Sequence, residues 1–240
     1  MPIGKKLHQI LLLGAILVSS ITVKAQTYVG IRGGYNVSTV FFTPTQYQEA
    51  LAGAGVDVGL ALKTYQNKYV GFQGELNLIQ RGYTKPYQEV DMYKRVNTYL
   101  EVPIFFQIQL PIKRVAIFAN AGCYGAFLLS AKEGNNSTGK FEMTEYKLNS
   151  LYDKRFDYGL AGGLGLAYEF SFGVFQADYR INFGLADLYK STWEGMPNHS
   201  RSFTQSVNLS YLFPLDLLKR KERKNSEVLP VVTDDVKKDS

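Results

Sequence analysis

The sequence predicts an all-β protein, an eight-stranded antiparallel up-and-down β-barrel that crosses a membrane with its strands. Three observations support this fold class. Beyond the first 25 residues, no apolar run approaches the ~20 residues that a transmembrane helix requires. Eight segments alternate instead between apolar and small or polar side chains, which is the pattern of strands with one apolar face. The connections between these segments are alternately short and long, as they are in transmembrane barrels.

The N-terminal segment has the features of a secretory signal peptide. The basic pair Lys5-Lys6 precedes an apolar run, Ile10–Val18. The run is too short to span a bilayer as a helix, and Val23 and Ala25 are small or apolar residues of the kind that precede a cleavage site. We therefore expect residues 1–25 to be removed on export, in preference to their retention as a membrane anchor.

Seven of the eight predicted strands have one apolar face and one face of small or polar residues. The fifth segment, Val115–Leu129, is apolar on both faces. In a soluble sandwich the apolar faces would form the core, but that fold needs loops of mixed length at both ends. In a membrane the sheet must close with its apolar face outward, because lipid cannot hydrogen-bond to the backbone. The apolar faces of the other seven segments are Val29, Ile31, Tyr35 and Val37; Val56, Val58, Leu60 and Leu62; Val70, Phe72, Leu76 and Leu78; Val96, Leu100, Val102, Ile104, Phe106 and Ile108; Phe156, Tyr158, Leu160, Leu164, Leu166, Tyr168 and Phe170; Phe175, Ala177, Tyr179, Ile181, Phe183 and Leu185; and Phe203, Gln205, Val207, Leu209, Tyr211 and Phe213.

The connections place both ends of the predicted barrel domain, residues 26–213, on one side of the membrane. Short turns of such barrels face the periplasm and long loops face the cell exterior, so we expect an outer-membrane location with both termini in the periplasm. Aromatic residues near strand ends, typical of interfacial girdles, favour the same arrangement. The short connections are Gln66-Asn67, Pro111–Lys113 and Ser171-Phe172; the long ones are Phe41–Ala52, Thr84–Lys94, Ala131–Lys154 and Leu188–Ser200; the strand-end aromatics are Tyr28, Tyr69, Tyr83, Tyr168, Phe170, Tyr189, Tyr211 and Phe213.

Charged residues fall on the inward faces of the predicted strands. Eight strands leave an interior filled by side chains, which disfavours a general porin. A charge inside so narrow a barrel is costly unless it is paired, and both signs occur here. The sequence therefore predicts an ionic network of Arg32 or Arg180 with acidic partners such as Glu75, and we favour a structural plug over a gate or a binding crevice. The inward-facing charges are Arg32, Asp57, Glu75, Arg81, Glu101, Asp157, Asp178 and Arg180, and the proposed acidic partners are Glu75, Glu101 and Asp178.

Composition and motif spacing give no support for catalysis, a cofactor, a metal or nucleic-acid binding. Removal of the signal with its three lysines reduces the formal charge from +6 to +3, and no basic patch is interleaved with aromatics. The single Cys123 excludes an internal disulfide. His199 lies beside Ser200 in a predicted loop, where a solvated side chain is favoured over a catalytic pair. Gly162–Gly165 lies within a predicted strand, which is the wrong context for a phosphate-binding loop.

Two segments outside the predicted strands are candidate contact regions for partner proteins. Trp193 lies in the long loop between the seventh and eighth strands. Lys219, Arg220 and Lys221 begin a basic cluster in a charged tail, residues 214–240, which the topology places in the periplasm. This cluster could contact a periplasmic partner or anionic lipid head groups, and the alternative is a solvated tail without a binding role.

Four strand motifs resemble the PorT-like outer-membrane barrel family of Bacteroidetes-type bacteria. Thr27–Asn36 is similar to the opening strand of that family, with its G-(I/V)-(K/R)-G-G-x-N pattern. Tyr99–Pro103 resembles its Y-L-E-(I/V)-P element, Asp157–Gly165 its glycine-rich sixth strand, and Tyr179–Leu185 its Y-R…G-L seventh strand. The resemblance runs from Thr27 to Phe213, and the chain departs from the family pattern by continuing for 27 residues beyond that point.

The resemblance implies an integral outer-membrane barrel that is a non-enzymatic accessory component of protein secretion, of the type IX kind for which the family is named. The expected contacts are outer-membrane lipid and secretion partners in the periplasm or the outer membrane. The alternative is an OmpX/OmpA-like surface barrel for adhesion or envelope integrity, which would act through its long loops. A narrow transporter of small solutes is disfavoured by the filled interior.

Overall fold

A computed structural model of the chain describes residues 26–43, 51–86, 92–136, 142–149, 153–189 and 198–215. The predicted signal peptide, residues 1–25, and all but the start of the predicted tail, residues 214–240, lie outside the described residues. No helix in the described part of the chain is long and apolar enough to cross a membrane. The strands of this part form one antiparallel sheet.

Eight long strands form a ring, and a ninth, short strand extends one part of it. The strands are β1 (Gln26–Thr43), β2 (Leu51–Tyr65), β3 (Val70–Pro86), β4 (Met92–Ile112), β5 (Val115–Asn135), β6 (Thr144–Tyr146), β7 (Phe156–Phe170), β8 (Gly173–Asp187) and β9 (His199–Pro214). The ring runs β1-β2-β3-β4-β5-β7-β8-β9 and returns to β1. The predicted eight-stranded antiparallel barrel is confirmed. β6 pairs with β5 inside a segment that the sequence predicted as a loop.

Pairing of the first strand with the last closes the sheet. β1 and β9 are paired from Tyr28↔Pro214 to Thr43↔His199, while the other edge of β1 pairs with β2. A closed ring presents no unpaired strand edge to lipid, where a free N–H or C=O group would find no water. Closure therefore lets these strands occupy the hydrocarbon layer.

The two faces of the barrel wall have the opposite polarity to those of a soluble protein. Ile31 and Leu164, which point outward, are 64% and 66% exposed, whereas the inward-pointing Asn36 and Gln107 are fully buried. Burial alternates from one residue to the next along β2 and β9. An outer surface of aliphatic and aromatic side chains suits hydrocarbon and not water. The outer face is therefore the lipid-facing band.

The strand that is apolar on both faces, β5, fills part of the lumen. Its inward side chains Phe118, Tyr124 and Leu128 are buried. The glycines of β7 make room for them, since a Cβ at Gly165 would collide with the Phe118 ring. A Cβ at Gly163 would collide with the backbone of β8. Close packing against the two neighbouring strands, β5 and β8, thus accounts for these glycines.

The short connections lie at one end of the barrel, which we call the short-turn end, and the long connections lie at the other, the long-loop end. The short connections are residues 66–69, 113–114 and 171–172. Asn67 Oδ1 accepts hydrogen bonds from the N–H groups of Tyr69 and Val70 at 2.8 and 2.9 Å. Lys113, with φ of 57°, takes the left-handed conformation that its two-residue turn requires. These short turns agree with the prediction.

The strands extend further toward the long-loop end than the alternation predicted. The predicted loop Thr84–Lys94 is reduced to residues 87–91 between strands, and β5 continues to Asn135. Apolar alternation ends where lipid ends, but ladder hydrogen bonds need no apolar side chains and continue beyond it. β4 and β5 have 21 residues each, about twice the 9–11 residues that cross a bilayer.

Three aromatics that were predicted to belong to the interfacial girdles point into the lumen instead. Tyr28 and Tyr83 are 7% and 2% exposed, and Tyr189 packs on the ring of Phe42. Tyr28 and Tyr83 have inward parity on β1 and β3, which proximity to a strand end does not reveal, and Tyr189 lies two residues beyond the end of β8. The remaining predicted girdle residues, Tyr69, Tyr168, Phe170, Tyr211 and Phe213, are all outside the lumen.

Candidate functional site

Charged side chains from four strands meet in the lumen. We call Arg32 of β1, Asp57 of β2, Glu75 of β3, and Asp178 and Arg180 of β8 the Glu75 cluster. All five occupy the inward parity of their strands, and their side chains are at most 3% exposed. The structure thus brings together five of the eight charges that the sequence assigned to the interior.

Glu75 is the shared acceptor of this cluster. Its Oε2 accepts hydrogen bonds from Nη1 of Arg32 at 2.9 Å and from Nη1 of Arg180 at 2.8 Å, and its Oε1 accepts from Nη2 of Arg180 at 3.0 Å. Gln73 and Asn77 also donate to this carboxylate, at 2.6 and 2.9 Å. Charge-assisted bonds in a bidentate arrangement are the strong ones, and they offset the cost of burying the carboxylate.

The remaining acidic residues of the cluster each contact one guanidinium. Asp57 lies 3.2 Å from Arg32, and Asp178 lies 3.4 Å from Arg180. Asn208 of β9 donates to Asp178 at 2.9 Å. The cluster therefore contains two cations and three carboxylates, and each carboxylate contacts at least one cation.

The pair formed by Arg180 and Glu75 spans the lumen. β3 and β8 are four places apart in a ring of eight strands, so they stand directly opposite one another. The Arg180 guanidinium also lies over the ring of Phe105, 4.3 Å from its centroid, and Phe105 is completely buried. An ion pair backed by an aromatic ring occupies the cross-section that a channel would need.

A second charged group, the Arg81 cluster, lies nearer the long-loop end. Arg81 pairs with Glu101 and, at 2.9 Å, with Asp157. The hydroxyls of Tyr124 and Ser202 donate to the same Asp157 oxygen at 3.3 and 3.2 Å. The sequence predicted that Glu101 would pair with Arg32 or Arg180, but Glu101 pairs with Arg81. Because Glu101 is in register with Asn77 and not with Glu75, its carboxylate meets Arg81 instead.

A third group, the Arg95 cluster, occupies the lumen at the long-loop end. Arg95 donates to Asp153 and to the Tyr189 hydroxyl, both at 3.0 Å, and it lies 4.2 Å from the centroid of the Tyr146 ring. The Tyr189 hydroxyl is also 2.6 Å from that of Tyr83. Burial raises the pKa of Tyr146, and nearby Asp153 raises it further, so this phenol stays protonated at neutral pH. Sequence reasoning missed the cluster because Asp153, Tyr146 and Tyr189 lie in predicted loops.

Lys63 is the other interior charge that sequence reasoning missed. It is completely buried, and its Nζ donates to Gln176 at 2.8 Å. The ammonium lies 4.8 and 5.2 Å from the ring centroids of Tyr65 and Phe118. Lys63 has the same parity as Asp57 on β2, so extending the predicted inward face by one alternate residue beyond Ala61 would have found it.

A cavity of about 390 Å³ opens at the short-turn end. Tyr28 and Tyr65 line its inner part, and Lys68, Lys113 and Arg114 are among its outer lining residues. The cavity does not continue as a channel, because Phe118 and Leu212 are 1% exposed in the layer that closes the lumen there.

The other residues singled out in the sequence do not join these clusters. Cys123 is exposed on the outer face of β5. His199 is an exposed side chain whose Nδ1 lies 3.5 Å from Asp187. Among the described residues no group of three or more His, Cys, Asp or Glu side chains is placed to hold a metal ion. The proposed partner contacts Trp193, Lys219, Arg220 and Lys221 lie outside the described residues.

Comparison with known proteins gives one family match and several structural likenesses. The family described as outer membrane protein beta-barrel domain matches residues 24–190, which include β1 to β8. No curated protein sequence matches this chain.

Three solved structures illustrate the structural likenesses. Ail of Yersinia pestis, solved with the heparin analogue sucrose octasulfate, is 18% identical, with 78% of this chain and 99% of that chain covered and a TM-score of 0.41. OprG of Pseudomonas aeruginosa is 11% identical, with 80% and 97% covered and a TM-score of 0.44. Neisserial surface protein A is 10% identical, with 76% and 96% covered and a TM-score of 0.41.

Proposed function

We propose that this chain, which belongs to the outer membrane protein beta-barrel domain family, is a non-enzymatic accessory component of protein secretion, acting by contact and not as a conduit. The chain is an integral β-barrel of the cell outer membrane. The resemblance of its strand motifs to the PorT-like family favours the secretion role. The main support for an accessory role, and against a conduit, is the ion pair between Arg180 and Glu75 across the lumen.

The lumen is closed at three levels, which supports a role in which the barrel contacts partner proteins and does not conduct them. The Glu75 and Arg81 clusters join strands that are not neighbours, through Arg180–Glu75 and Arg81–Asp157. The Arg95 cluster joins β4 to the residues just beyond β8 through the Arg95–Tyr189 hydrogen bond. A polypeptide or a hydrated solute would have to break all of these contacts to pass. A barrel of this kind serves its cell through what its rims, loops and outer wall touch.

The same contacts argue against catalysis in the lumen. Each carboxylate of the Glu75 and Arg81 clusters contacts a guanidinium, so it is engaged in an ion pair inside the barrel and is not free to act on a substrate. A hydrolytic site needs a nucleophile or a water positioned by a general base. The interior is therefore assigned a structural role.

A deletion strain tests the secretion proposal. Loss of the gene is expected to trap secreted cargo in the periplasm while uptake of small hydrophilic solutes stays unchanged, since a closed barrel contributes little passive flux. Complementation with the parent gene should restore secretion. Normal secretion by the deletion strain would refute the proposal.

The length of the strands favours one second candidate, a surface barrel for adhesion or envelope integrity. β4 and β5 continue about ten residues beyond a bilayer crossing, and the Arg95 cluster ties this extension together from inside. Such an extension forms a stiff platform for the long loops. A deletion strain that secretes normally but loses surface attachment or detergent resistance would favour this candidate.

A further inference from the structure

Three polar groups lie close together on the lipid-facing side of β8, β9 and β1. The Tyr179 hydroxyl of β8 donates to Oε1 of Gln205 of β9 at 2.5 Å. Tyr35 of β1 is opposite Val207 in the β1–β9 register, and Val207 is opposite Tyr179 in the β8–β9 register. All of these side chains point outward, and Tyr35 and Tyr179 are 57% and 44% exposed.

These polar groups lie within the apolar band and not at its edges. The outward residues of β9 run from His199, Arg201 and Phe203 at the long-loop end to Tyr211 and Phe213 at the short-turn end. Gln205 stands between these aromatic ends, where interfacial girdles mark the limits of the hydrocarbon. Its amide group therefore faces lipid chains and not water.

Part of this hydrogen-bonding capacity is unused within the chain. Tyr179 occupies the carbonyl oxygen of Gln205, and no partner for the Gln205 amide N–H groups or the Tyr35 hydroxyl is found among the described residues. Acyl chains offer no acceptor, and leaving such groups unpaired in hydrocarbon costs several kcal/mol in transfer measurements. Another protein surface inside the membrane would satisfy them.

We propose that this surface, made of Gly33, Tyr35, Tyr179, Gln205 and Val207, is the interface of a homodimer within the membrane. The surface is self-complementary, because a twofold axis can place the Gln205 amide of each copy against the Tyr35 hydroxyl of the other. Polar side chains that hydrogen-bond across an interface are an established means of association in lipid.

Gly33 provides independent support for close approach at this surface. A Cβ at Gly33 would meet only one neighbouring atom, the Asp57 carbonyl oxygen, at 3.7 Å, so packing within this chain does not require a glycine there. Because Gly33 has no side chain, the outer surface beside Tyr35 is recessed, and a second barrel can approach the backbone closely there. The partner is a second copy of this chain, because the same surface contains both the donor, the Gln205 amide N–H, and an acceptor, the Tyr35 hydroxyl oxygen.

Site-directed cross-linking tests the interface in native membranes. Val207→Cys in a Cys123→Ala background is expected to give an oxidation-dependent product of twice the monomer mass when outer membranes are treated with copper phenanthroline. Ile104→Cys, equally exposed to lipid on β4 at the opposite side of the ring, should give at least tenfold less product. Equal yields from the two positions, or a product with the mass of a different protein, would overturn the proposal.

A second measurement tests the hydrogen bonds themselves. The Tyr35→Phe/Gln205→Leu double variant keeps the shape but removes both groups of the proposed hydrogen bond between copies, and it should weaken dimerisation in lipid nanodiscs or vesicles about tenfold, read by energy transfer between labelled copies. Gln80→Leu on β3 makes the same change away from the interface and should leave dimerisation unchanged. Heat-modifiable mobility confirms folding of each variant. Parent-like dimerisation of a folded double variant would refute hydrogen bonding as its basis.

Discussion

Among single residues, Glu75 has the largest share of the interior contacts. Arg32 and Arg180 approach it from strands on different sides of the lumen, at 2.9 and 2.8 Å. Removing one partner of a buried ion pair is costly because the other charge is left without compensation. Here one substitution would leave two guanidinium groups without their shared acceptor.

Glu75→Gln is therefore expected to destabilise the barrel by about 3–5 kcal/mol. The measurement is reversible denaturant unfolding in lipid vesicles, followed by intrinsic fluorescence. Glu169→Gln, which removes an exposed carboxylate at the short-turn end, is the matched control and should unfold like the parent. Unfolding of Glu75→Gln at the parent's denaturant concentration would show that the cluster contributes little.

Sequence alone assigned eight charges to the interior and proposed Glu75 as a partner of Arg32 or Arg180, but it did not find the partner of Glu101. Period-2 alternation fixes which side of the wall Arg32 or Glu101 faces, because a strand offers only two sides. Which cation Glu101 meets depends on the register of β3 against β4, and that register is set by pairing along the whole strand. The Asp153 contact with Arg95 was beyond reach for a second reason, since it joins a strand to a predicted loop.

At the scale of the strand, the lipid-facing and lumen-facing sides of one strand tolerate different substitutions. Leu209 of β9 is 52% exposed toward lipid, whereas its neighbour Asn208 is completely buried beside Asp178. Alternation was sufficient to assign these faces from the sequence. It could not show how tightly the lumen is packed, and it underestimated the strand lengths because pairing continues beyond the apolar band.

Leu209→Arg is expected to destabilise the barrel by ~2–4 kcal/mol, because the charge would lie in hydrocarbon near the middle of the band. Equilibrium unfolding in vesicles measures the loss. Leu209→Met keeps the apolar character and serves as the control, with an expected change well below that of the arginine variant. An arginine variant as stable as the methionine variant would mean that this face is not in lipid.

For the whole molecule, the orientation in the membrane follows from the placement of short and long connections. A cysteine at Asn135, at the long-loop end, should react with an impermeant reagent on intact cells, in a Cys123→Ala background. A cysteine at Asn67, in a short turn, should react only after the outer membrane is breached. Labelling is read by mass shift on gels. Equal labelling of both positions on intact cells would contradict the assignment.

The whole barrel is also expected to be closed to ions. Purified protein in planar bilayers should show no steady single-channel steps, because the Glu75 and Arg81 clusters occupy the lumen. The Arg32→Ala/Glu75→Ala/Arg180→Ala variant removes the contact across the lumen and should raise the frequency of open events, provided that it is heat-modifiable. Leu209→Ala, on the lipid face, is the control. A steady parent current that the triple variant leaves unchanged would refute the plug.

The pairing of β1 with β9 has a consequence for biogenesis. The first strand to emerge during export finds its second neighbour only when the last strand arrives, so the cylinder cannot seal until almost the entire chain has been delivered. Until then two open edges, one on each side of the growing sheet, must be held by something other than this chain. The barrel can therefore close only after the C-terminal strand has arrived. A chain that stops before His199 would remain an open sheet however stable its other strand pairings are.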